Sequence, residues 1–358
     1  MTLDLARQLD PRIPYLTAHL PGIGGVIRAQ LEDFVVEEVP AYQPCGSGEH
    51  TYIWVEKRGI TTAQLVAQLA EGLAIPRRTI SYAGLKDARA VARQMLSLHL
   101  VPPERLERLM LENARILAVS RHRNKLRIGH LQGNRFTIRV RDVAPDAALR
   151  AADILAELSA RGVPNAYGPQ RFGNRADNHI VGYHLLRGDR DALSAMGIRF
   201  PSCRMHQFFI SALQAALFNQ VVAQRMEAGT LDSVVAGDIA RKEDTGGLFI
   251  VGDVEAERPR AARFEISATG PIYGYRMMEA RGEAGAMEGR ILSQAGLTLE
   301  DFRAVRARGV RRPLRYHPGE VSYTADAEGV VITFFAPKGA FATMLLRELM
   351  KVPMAAID

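Results

Sequence analysis

Alternating apolar and polar positions predict several strands in the first hundred residues. Residues 25–40 match one or two short strands, and residues 51–58 match a longer one. Residues 80–83 and 93–101 predict two more, and a proline pair ends the second of these. The chain therefore begins with a β-rich segment.

A helix is predicted directly after the strand at 51–58. Thr61 can cap the helix, and Gln64 can reach back to the Thr61 amide, which together make a capping box. The apolar residues that follow fall on one helical face, formed by Leu65, Val66, Leu69 and Leu73.

Residues 134–141 alternate between apolar and mostly basic side chains. The apolar set is Phe136, Ile138 and Val140, and the polar set is Arg135, Thr137, Arg139 and Arg141. A period of two places the apolar set in a core and the arginines on the open face of a sheet. The arginines either bind an anionic partner or form a charged edge that deters aggregation.

The rest of the chain predicts helices, a junction and a hairpin. Helical spacing indicates helices over residues 104–112, 145–161, 207–228 and 276–295, with a glycine-rich irregular stretch at 229–275. Residues 163–178, rich in Gly, Asn, Pro and Arg, look like a junction. A hairpin over 320–335 and a helix over 339–350 resemble the first part of the chain, which suggests one domain inserted into another.

Charge favours acidic partners without requiring them. The 358 residues carry a formal net charge of +7, which is also compatible with simple solubility. Basic residues concentrate in two blocks that lack Asp and Glu: residues 120–141 hold seven Lys or Arg, and residues 302–319 hold six Arg. Two such blocks predict parts of an electrostatic footprint for a polyanion.

Other features of composition predict a cytoplasmic protein. The two cysteines, Cys45 and Cys203, are too few and too far apart for a disulfide framework, and they fit a reducing cytosol. Charged residues near the start of the chain argue against a signal peptide, and no apolar run reaches about 18 residues. We expect no membrane span.

Asp87 is the strongest candidate for chemistry. It follows Lys86 after the turn-forming Gly84, and Arg89 and Arg93 come just after it. Cations that keep a carboxylate ionised suit it to act as a nucleophile or a base. Taken alone, such an aspartate is more often a helix cap or a surface ion-pair partner.

Familiar cofactor and hydrolase motifs are absent from the sequence. It has no Walker A loop, no His-Glu-x-x-His, no Cys-x-x-Cys and no Gly-x-Ser-x-Gly. These absences leave redox, nucleotide-triphosphate and metal-hydrolase interpretations without support.

The segment around Asp87 resembles the signature of the TruD-type tRNA pseudouridine synthases. Gly84-Leu85-Lys86-Asp87 is followed by Ala90 and Gln94, as in that family. Four more blocks match in order: residues 27–34 ending in Glu-Asp-Phe, 133–136, 163–173, and 337–343 followed by Arg347-Glu348. Five short blocks in order over nearly the whole chain make a specific resemblance.

The resemblance implies an α+β fold. Residues 1–160 and 310–358 would form a discontinuous pseudouridine-synthase-type catalytic domain, with a mixed or antiparallel sheet and flanking helices. Residues 161–309 would form an inserted second α/β domain of the family's type.

The implied activity is isomerisation of a uridine in tRNA to pseudouridine, usually uridine 13 in the D arm. It implies tRNA as partner, with no cofactor, no metal and no obligate protein partner. The alternative from another class is a basic RNA-binding protein that keeps the scaffold without catalysis.

The resemblance also assigns site residues. Asp87 would be the essential catalytic residue, and the residues leave open whether it attacks C1′, attacks C6 or removes the C2′ proton. Phe34 and Phe341 would contact a uridine flipped out of its stack, and Asn134 would hydrogen-bond it. For both phenylalanines core packing is the commoner role, and for Asn134 a turn role.

Three further residues are predicted near this site. Lys86 is equally compatible with pairing to Asp87, binding phosphate or plain exposure. Phe136 points with the apolar set of its strand, which favours core or site wall. Arg28 stands where the family usually has Lys, which keeps the charge and changes the hydrogen-bond geometry.

The chain departs from the family at other positions too. Leu31 replaces a usual Pro, Ala92 a usual Thr, and Ala166-Tyr167 a usual Tyr-Phe. Any role of that threonine hydroxyl therefore does not carry over to this chain.

Overall fold

The computed structural model describes residues 9–199, 201–354 and 357. Close Cα–Cα approaches divide the chain into two compact units. The first comprises Met1–Gly22, Asp153–His317 and Thr343–Asp358, and the second comprises Ile23–Ala152 and Pro318–Ala342. The candidate site residues named above all belong to the second unit.

A mixed β-sheet forms the body of the second unit. Its strands are β1 (Gly24–Val26), β2 (Phe34–Pro40), β3 (His50–Arg58), β4 (Ile80–Tyr82), β5 (Val91–His99), β6 (Ala114–His122), β7 (Leu131–Val143), β14 (Gly319–Asp326) and β15 (Gly329–Pro337). The main path runs β14-β15-β7-β2-β5-β3-β6, with β1 beside β7 and β4 beside β5. Only β2 and β5 pair in parallel within this described sheet, so the predicted mixed sheet is confirmed.

Helix α1 (Thr62–Gly72) covers one face of this sheet. The predicted capping box is present, since the Gln64 amide donates to Thr61 Oγ1 at 3.1 Å and the Thr61 amide donates to Gln64 Oε1 at 2.8 Å. Its apolar face packs against inward side chains of β3 and β5, namely Ile53, Val55, Leu96 and Leu98. Burial of this face holds the start of α1 beside the Lys86–Asp87 turn.

In the second unit, one predicted helix is wrong and one strand was not predicted. Residues 104–112 contain only a 3-10 turn, Pro103–Leu106, because Leu106, Leu109 and Leu111 close over the same core cluster instead of continuing a helix. Strand β6 follows directly. It is a largely exposed edge strand, so its sequence lacks the apolar alternation that marks a half-buried strand.

The arginine-bearing strand lies in the middle of the sheet as part of β7. Phe136, Ile138 and Val140 are buried, which confirms the predicted alternation. Each arginine on the other face forms an ion pair with a carboxylate. Arg139 pairs with Asp326 at 2.6 Å, Arg135 with Glu320 at 2.7 Å, and Arg141 with Asp33 at 2.8 Å. The face is therefore not the open cationic surface that the local sequence suggested.

The first unit combines helices with smaller sheets. Its long helix Cys203–Glu227 extends the helix predicted at 207–228. The stretch 229–275, predicted irregular, instead contains β9 (Ile239–Lys242), β10 (Leu248–Ile250), a helix (Val254–Ala262) and β11 (Ile266–Ile272), with β12 (Val310–Pro313) completing the order β10-β9-β11-β12. Strands β9 and β10 are too short to show an alternation, and β11 is buried on both faces and contains Gly270 and Pro271, so its sequence shows none. Strands β8 (Val163–Pro164) and β13 (Arg315–Tyr316) form a separate pair.

The remaining helices are α2 (Ala147–Arg161), α3 (Asn178–Arg187), α4 (Arg190–Ala195), α5 (Cys203–Glu227), α6 (Val254–Ala262), α7 (Gly282–Gln294), α8 (Leu299–Ala304) and α9 (Ala342–Met350). The helices predicted at 145–161, 276–295 and 339–350 thus correspond to shorter helices. The predicted hairpin at 320–335 is the β14–β15 pair.

The Arg-rich segment 302–319 contains both exposed arginines (Arg303, Arg306 and Arg308) and arginines that are buried within the first unit. The Arg311 side chain is 1% exposed and pairs with Glu288 at 2.6 Å. Arg315 donates to the carbonyls of Arg161 and Ala261, at 2.5 and 2.6 Å. At least these two arginines support structure instead of forming the predicted electrostatic footprint. The predicted domain borders, with an insertion over 161–309, stay a prediction, because compactness does not test which segments fold together.

Candidate active site

The turn that carries Asp87 links the end of β4 to the start of β5. The Asp87 side chain is 47% exposed, whereas the neighbouring Lys86 is buried. The Lys86 amide donates to Thr62 Oγ1 at 3.1 Å, and that hydroxyl donates to Gln94 Oε1 at 3.0 Å. The first residue of α1 and the buried Gln94 thus fix the backbone just before the aspartate.

Lys57 also holds this turn, through the Asp87 backbone. This fully buried side chain on β3 donates from Nζ to the Asp87 carbonyl at 2.5 Å and to the Ile60 carbonyl at 2.6 Å. Burial lowers the pKa of Lys57 to about 8, and the Asp87 charge offsets part of that effect. The contact is to the Asp87 backbone, so the carboxylate remains available to a substrate.

Lys86 has a buried carboxylate partner of its own. Its Nζ lies 2.8 Å from Glu38 Oε2, and both side chains are almost wholly inaccessible. The Glu38 Oε1 atom accepts a hydrogen bond from the Met95 amide at 3.2 Å. Of the alternatives open for Lys86, plain exposure is therefore wrong, and its charge is used within the fold.

Arg28 is the cation that faces the Asp87 carboxylate. Its guanidinium Nη2 lies 3.7 Å from Asp87 Oδ2, and its side chain is only 8% exposed. The guanidinium carbon lies 4.2 Å from the centre of the Phe34 ring, a cation–π contact. Arg28 adopts a left-handed backbone with φ of 58°, which costs energy for a side-chain-bearing residue.

Phe34 and Phe136 belong to one aromatic cluster on the buried face of the sheet. Their rings meet edge to face at 6.0 Å, and Phe136 stacks on Phe334 at 5.3 Å. Phe34 is 1% exposed and Phe136 is 7% exposed. Both rings therefore form part of the buried wall of the site, and the Phe34 ring contacts the Arg28 guanidinium.

Asn134 lies opposite Glu38 in the β2–β7 register. Its side-chain Oδ1 is buried and has no hydrogen-bond partner among the residues that the structure describes. A buried polar atom without a partner is costly, so it is suited to a ligand that supplies the missing hydrogen bond.

Phe341 ends the loop between β15 and α9 and is 39% exposed. An exposed phenylalanine offers a ring face to a planar ligand. Its predicted contact with a uridine stays a prediction.

Sequence reasoning missed the buried charges of this site. Lys57 occupies an inward register position in a strand whose neighbouring inward residues, Ile53 and Val55, are apolar. A charged residue at such a position was the available signal, because it needs partners in the interior. Glu38 gave the same signal on β2, but only the fold shows that its partner is Lys86.

The arrangement is suited to acid–base or nucleophilic chemistry by one carboxylate. Asp87 is accessible, its backbone is fixed on two sides, and Arg28 opposes its charge. No group of three or more His, Cys, Asp or Glu in the described parts of the chain is placed to hold a metal ion. None of the helices in those parts is long and apolar enough to cross a membrane.

Comparison with known proteins gives consistent matches. A family model described as tRNA pseudouridine synthase D (TruD) matches residues 12–202 and 195–349. The tRNA pseudouridine synthase D of Thermus thermophilus is 46% identical, covering 95% of this chain and 93% of its own. That of Geobacter metallireducens is 42% identical, covering 94% and 97%.

A solved structure is similar as well. The crystal structure described as a putative tRNA pseudouridine synthase D (TruD) from Methanosarcina mazei matches with a TM-score of 0.81 at 26% identity. The match covers 99% of both chains.

Proposed function

The chain belongs to the tRNA pseudouridine synthase D (TruD) family of isomerases, and from this membership we propose that Asp87 performs the essential step on a flipped uridine of tRNA. The uridine proposed is number 13 in the D arm, the family's usual substrate. The observation that carries the proposal is the accessible Asp87 carboxylate held 3.7 Å from the Arg28 guanidinium.

Arg28 has two roles in this proposal. Its positive charge stabilises the negative charge of the carboxylate, and its plane on the Phe34 ring fixes the direction of the guanidinium. Isomerisation requires cleavage of the N1–C1′ bond, rotation of the base and formation of a C5–C1′ bond. The geometry is compatible with attack of Asp87 on C1′, attack on C6, or removal of the C2′ proton.

The base must leave its stack to reach Asp87. The site therefore needs flat surfaces that contact the base and a polar group that hydrogen-bonds it. We assign the polar contact to Asn134, whose buried Oδ1 accepts a hydrogen bond from the uracil imide N–H. Phe341 offers an exposed ring to the base. Phe34 supports Arg28, and its direct contact with the uridine requires Arg28 to move on binding.

Replacement of Asp87 by Asn tests the catalytic assignment. The change removes the negative charge and keeps the shape, so tRNA should bind within about threefold of wild type, while tritium release from 5-³H-uridine tRNA falls by at least about 10³-fold. Asp142→Asn is the matched control, because Asp142 is exposed on β7 outside the turn. Near-normal tritium release by D87N would overturn the assignment.

A further inference from the structure

The structure distinguishes paired from unpaired basic residues in the block 120–141. The arginines on β7 meet carboxylates, as described above. Arg123, Lys125 and Arg127, on the loop between β6 and β7, are exposed, and none pairs with a carboxylate in the described parts of the chain. The unneutralised charge of this block therefore lies on the loop and on Arg121 near the end of β6, whose Nε donates to the Gly48 carbonyl.

A cavity of about 480 Å³ lies beside this loop. It is lined by Tyr42, Gln43, His122, Asn124, Lys125, Arg127 and His130, with no Asp or Glu among them. The Tyr42 ring stacks on His122 at 5.1 Å with 22° between the planes. Basic side chains around stacked rings are the combination that binds single-stranded nucleic acid.

The cavity is rigidly built. The Tyr42 hydroxyl lies 2.8 Å from His130 Nδ1 and 3.2 Å from the Tyr52 hydroxyl, which fixes the ring. On the loop, the buried Leu126 packs in the cluster of Tyr52 and Met95, and its amide donates to Ser97 Oγ at 3.2 Å. Ligand binding here needs little ordering of the loop, which favours affinity.

The loop is also tied to the turn that carries Asp87. The Gly129 amide donates to the Ala83 carbonyl at 2.8 Å, and Ala83 directly precedes the Gly84–Asp87 turn. An RNA strand bound at the cavity would therefore contact an element that is hydrogen-bonded to the catalytic turn.

We propose that this cavity binds an unpaired nucleotide of the substrate RNA other than the target uridine. The base lies against the Tyr42–His122 stack, and the flanking phosphates contact Lys125 and Arg127. The proposal rests on RNA being the substrate. An acidic peptide would satisfy the cations but not the paired ring faces, so RNA is the better match.

Charge reversal tests the phosphate contacts. The double variant Lys125→Glu/Arg127→Glu should raise the Kd for tRNA at least about tenfold and reduce the slope of log K against log salt by about 2. The matched control is Arg77→Glu/Arg78→Glu. These arginines are exposed and unpaired with carboxylates in the described chain, in the 3-10 turn Arg77–Thr79 that packs near the end of α1. Equal affinities of the two double variants would overturn the proposal.

Two substitutions of Tyr42 test the stacking. Tyr42→Phe keeps the ring and removes the hydroxyl, so tRNA affinity should stay within about twofold of wild type. Tyr42→Leu removes the ring and should weaken binding at least about fivefold. Equal binding by the two variants, with both folded by circular dichroism, would overturn the stacking contact.

Protection of the Cys45 thiol from alkylation can report RNA binding without any mutation. The Cys45 amide donates to His122 Nδ1 at 3.2 Å, the residue is exposed, and hydrogen bonding to the Ser47 backbone lowers the pKa of its thiol. Bound tRNA should slow alkylation of Cys45 by iodoacetamide at least about fivefold, whereas uridine monophosphate should not. Unchanged alkylation with saturating tRNA, or equal protection by the mononucleotide, would contradict an RNA-strand site.

The two proposals fail in different experiments. If Asp87 is not catalytic, D87N keeps its turnover while the loop variants still lose tRNA affinity. If the cavity does not bind RNA, the loop variants bind tRNA like the control, and D87N still loses turnover.

Discussion

A buried lysine beneath Asp87 is the residue-scale feature that the sequence did not reveal. The signature motif made Asp87 the candidate residue, because a motif is recognised from residues that are adjacent in the sequence. The inward strand positions of Lys57 and Glu38 signalled burial, but their partners on the Asp87 turn could not be assigned from the sequence. The structure shows Lys57 donating to two backbone carbonyls, one of them on Asp87, and from this we infer that it positions the turn.

Replacement of Lys57 by Met should lower kcat by about 10- to 100-fold with an unchanged Kd for tRNA, because the turn loses its support while the RNA surface is untouched.

A stability measurement separates the positioning role of Lys57 from a general folding defect. Burial lowers the pKa of folded Lys57 to about 8, below its unfolded value of about 10.5. The unfolded chain therefore binds the extra proton between these values, and wild type should gain stability relative to K57M as pH rises from about 8 to 10.5. Equal kcat for wild type and K57M would contradict the positioning role.

At the scale of elements, β7 shows what an alternating pattern can and cannot predict. Its period correctly separated Phe136, Ile138 and Val140 from the arginines. The partners Glu320 and Asp326 lie on a hairpin nearly two hundred residues later, so no count of charge within the strand could reveal them. That these arginines bind an anionic partner stays a prediction, and their ion pairs with carboxylates make the sheet surface less cationic than the strand alone suggested.

Arg139→Gln should change the tRNA Kd by less than about twofold, because Asp326 and Glu328 already satisfy the charge that it removes. The comparison is with Lys125→Gln on the loop, measured in the same filter-binding titration. A larger loss of tRNA affinity for the Arg139 variant than for the Lys125 variant would show that β7 contacts the RNA backbone.

The contact between β7 and the 3-10 turn Leu31–Asp33 has a pH signature. Burial alone would raise the pKa of Asp33, but hydrogen bonds from Arg141 and the Gln30 amide outweigh it and lower the pKa. The stabilisation is therefore present above the unfolded pKa of about 3.9 and disappears as pH falls through the lower folded value. Asp33→Asn should cost about 2 kcal/mol in the free energy of unfolding at pH 7.

In urea titrations that difference should shrink as pH falls below the unfolded pKa of about 3.9 and through the lower folded value, because wild-type Asp33 then becomes protonated. Glu32→Gln is the control, because Glu32 is exposed and pairs with Arg58 at the surface. A pH-independent difference for D33N would contradict the ion pair.

At the scale of the whole molecule, five ordered motifs predicted the fold class and family, and total charge predicted much less. The block 302–319 looked like an RNA-binding surface, yet Arg311 and Arg315 are buried with partners such as Glu288 and the Ala261 carbonyl. The number of basic residues in a segment does not show whether their side chains are buried. A cationic segment therefore predicts an RNA-binding surface only once the partners of those side chains are known. In the described chain, exposed cations that pair with no carboxylate include Arg89 beside Asp87 and the basic residues of the loop that follows β6.

Nucleotide-resolution mapping tests most directly whether Asp87 makes pseudouridine in tRNA. Transfer RNA that lacks pseudouridine would be incubated with wild type or with D87N, and then read by carbodiimide labelling and primer extension. A new pseudouridine is expected at position 13 of the D arm with wild type and none with D87N. Absence of any new pseudouridine with wild type, or the same modification with D87N, would contradict the assignment of Asp87.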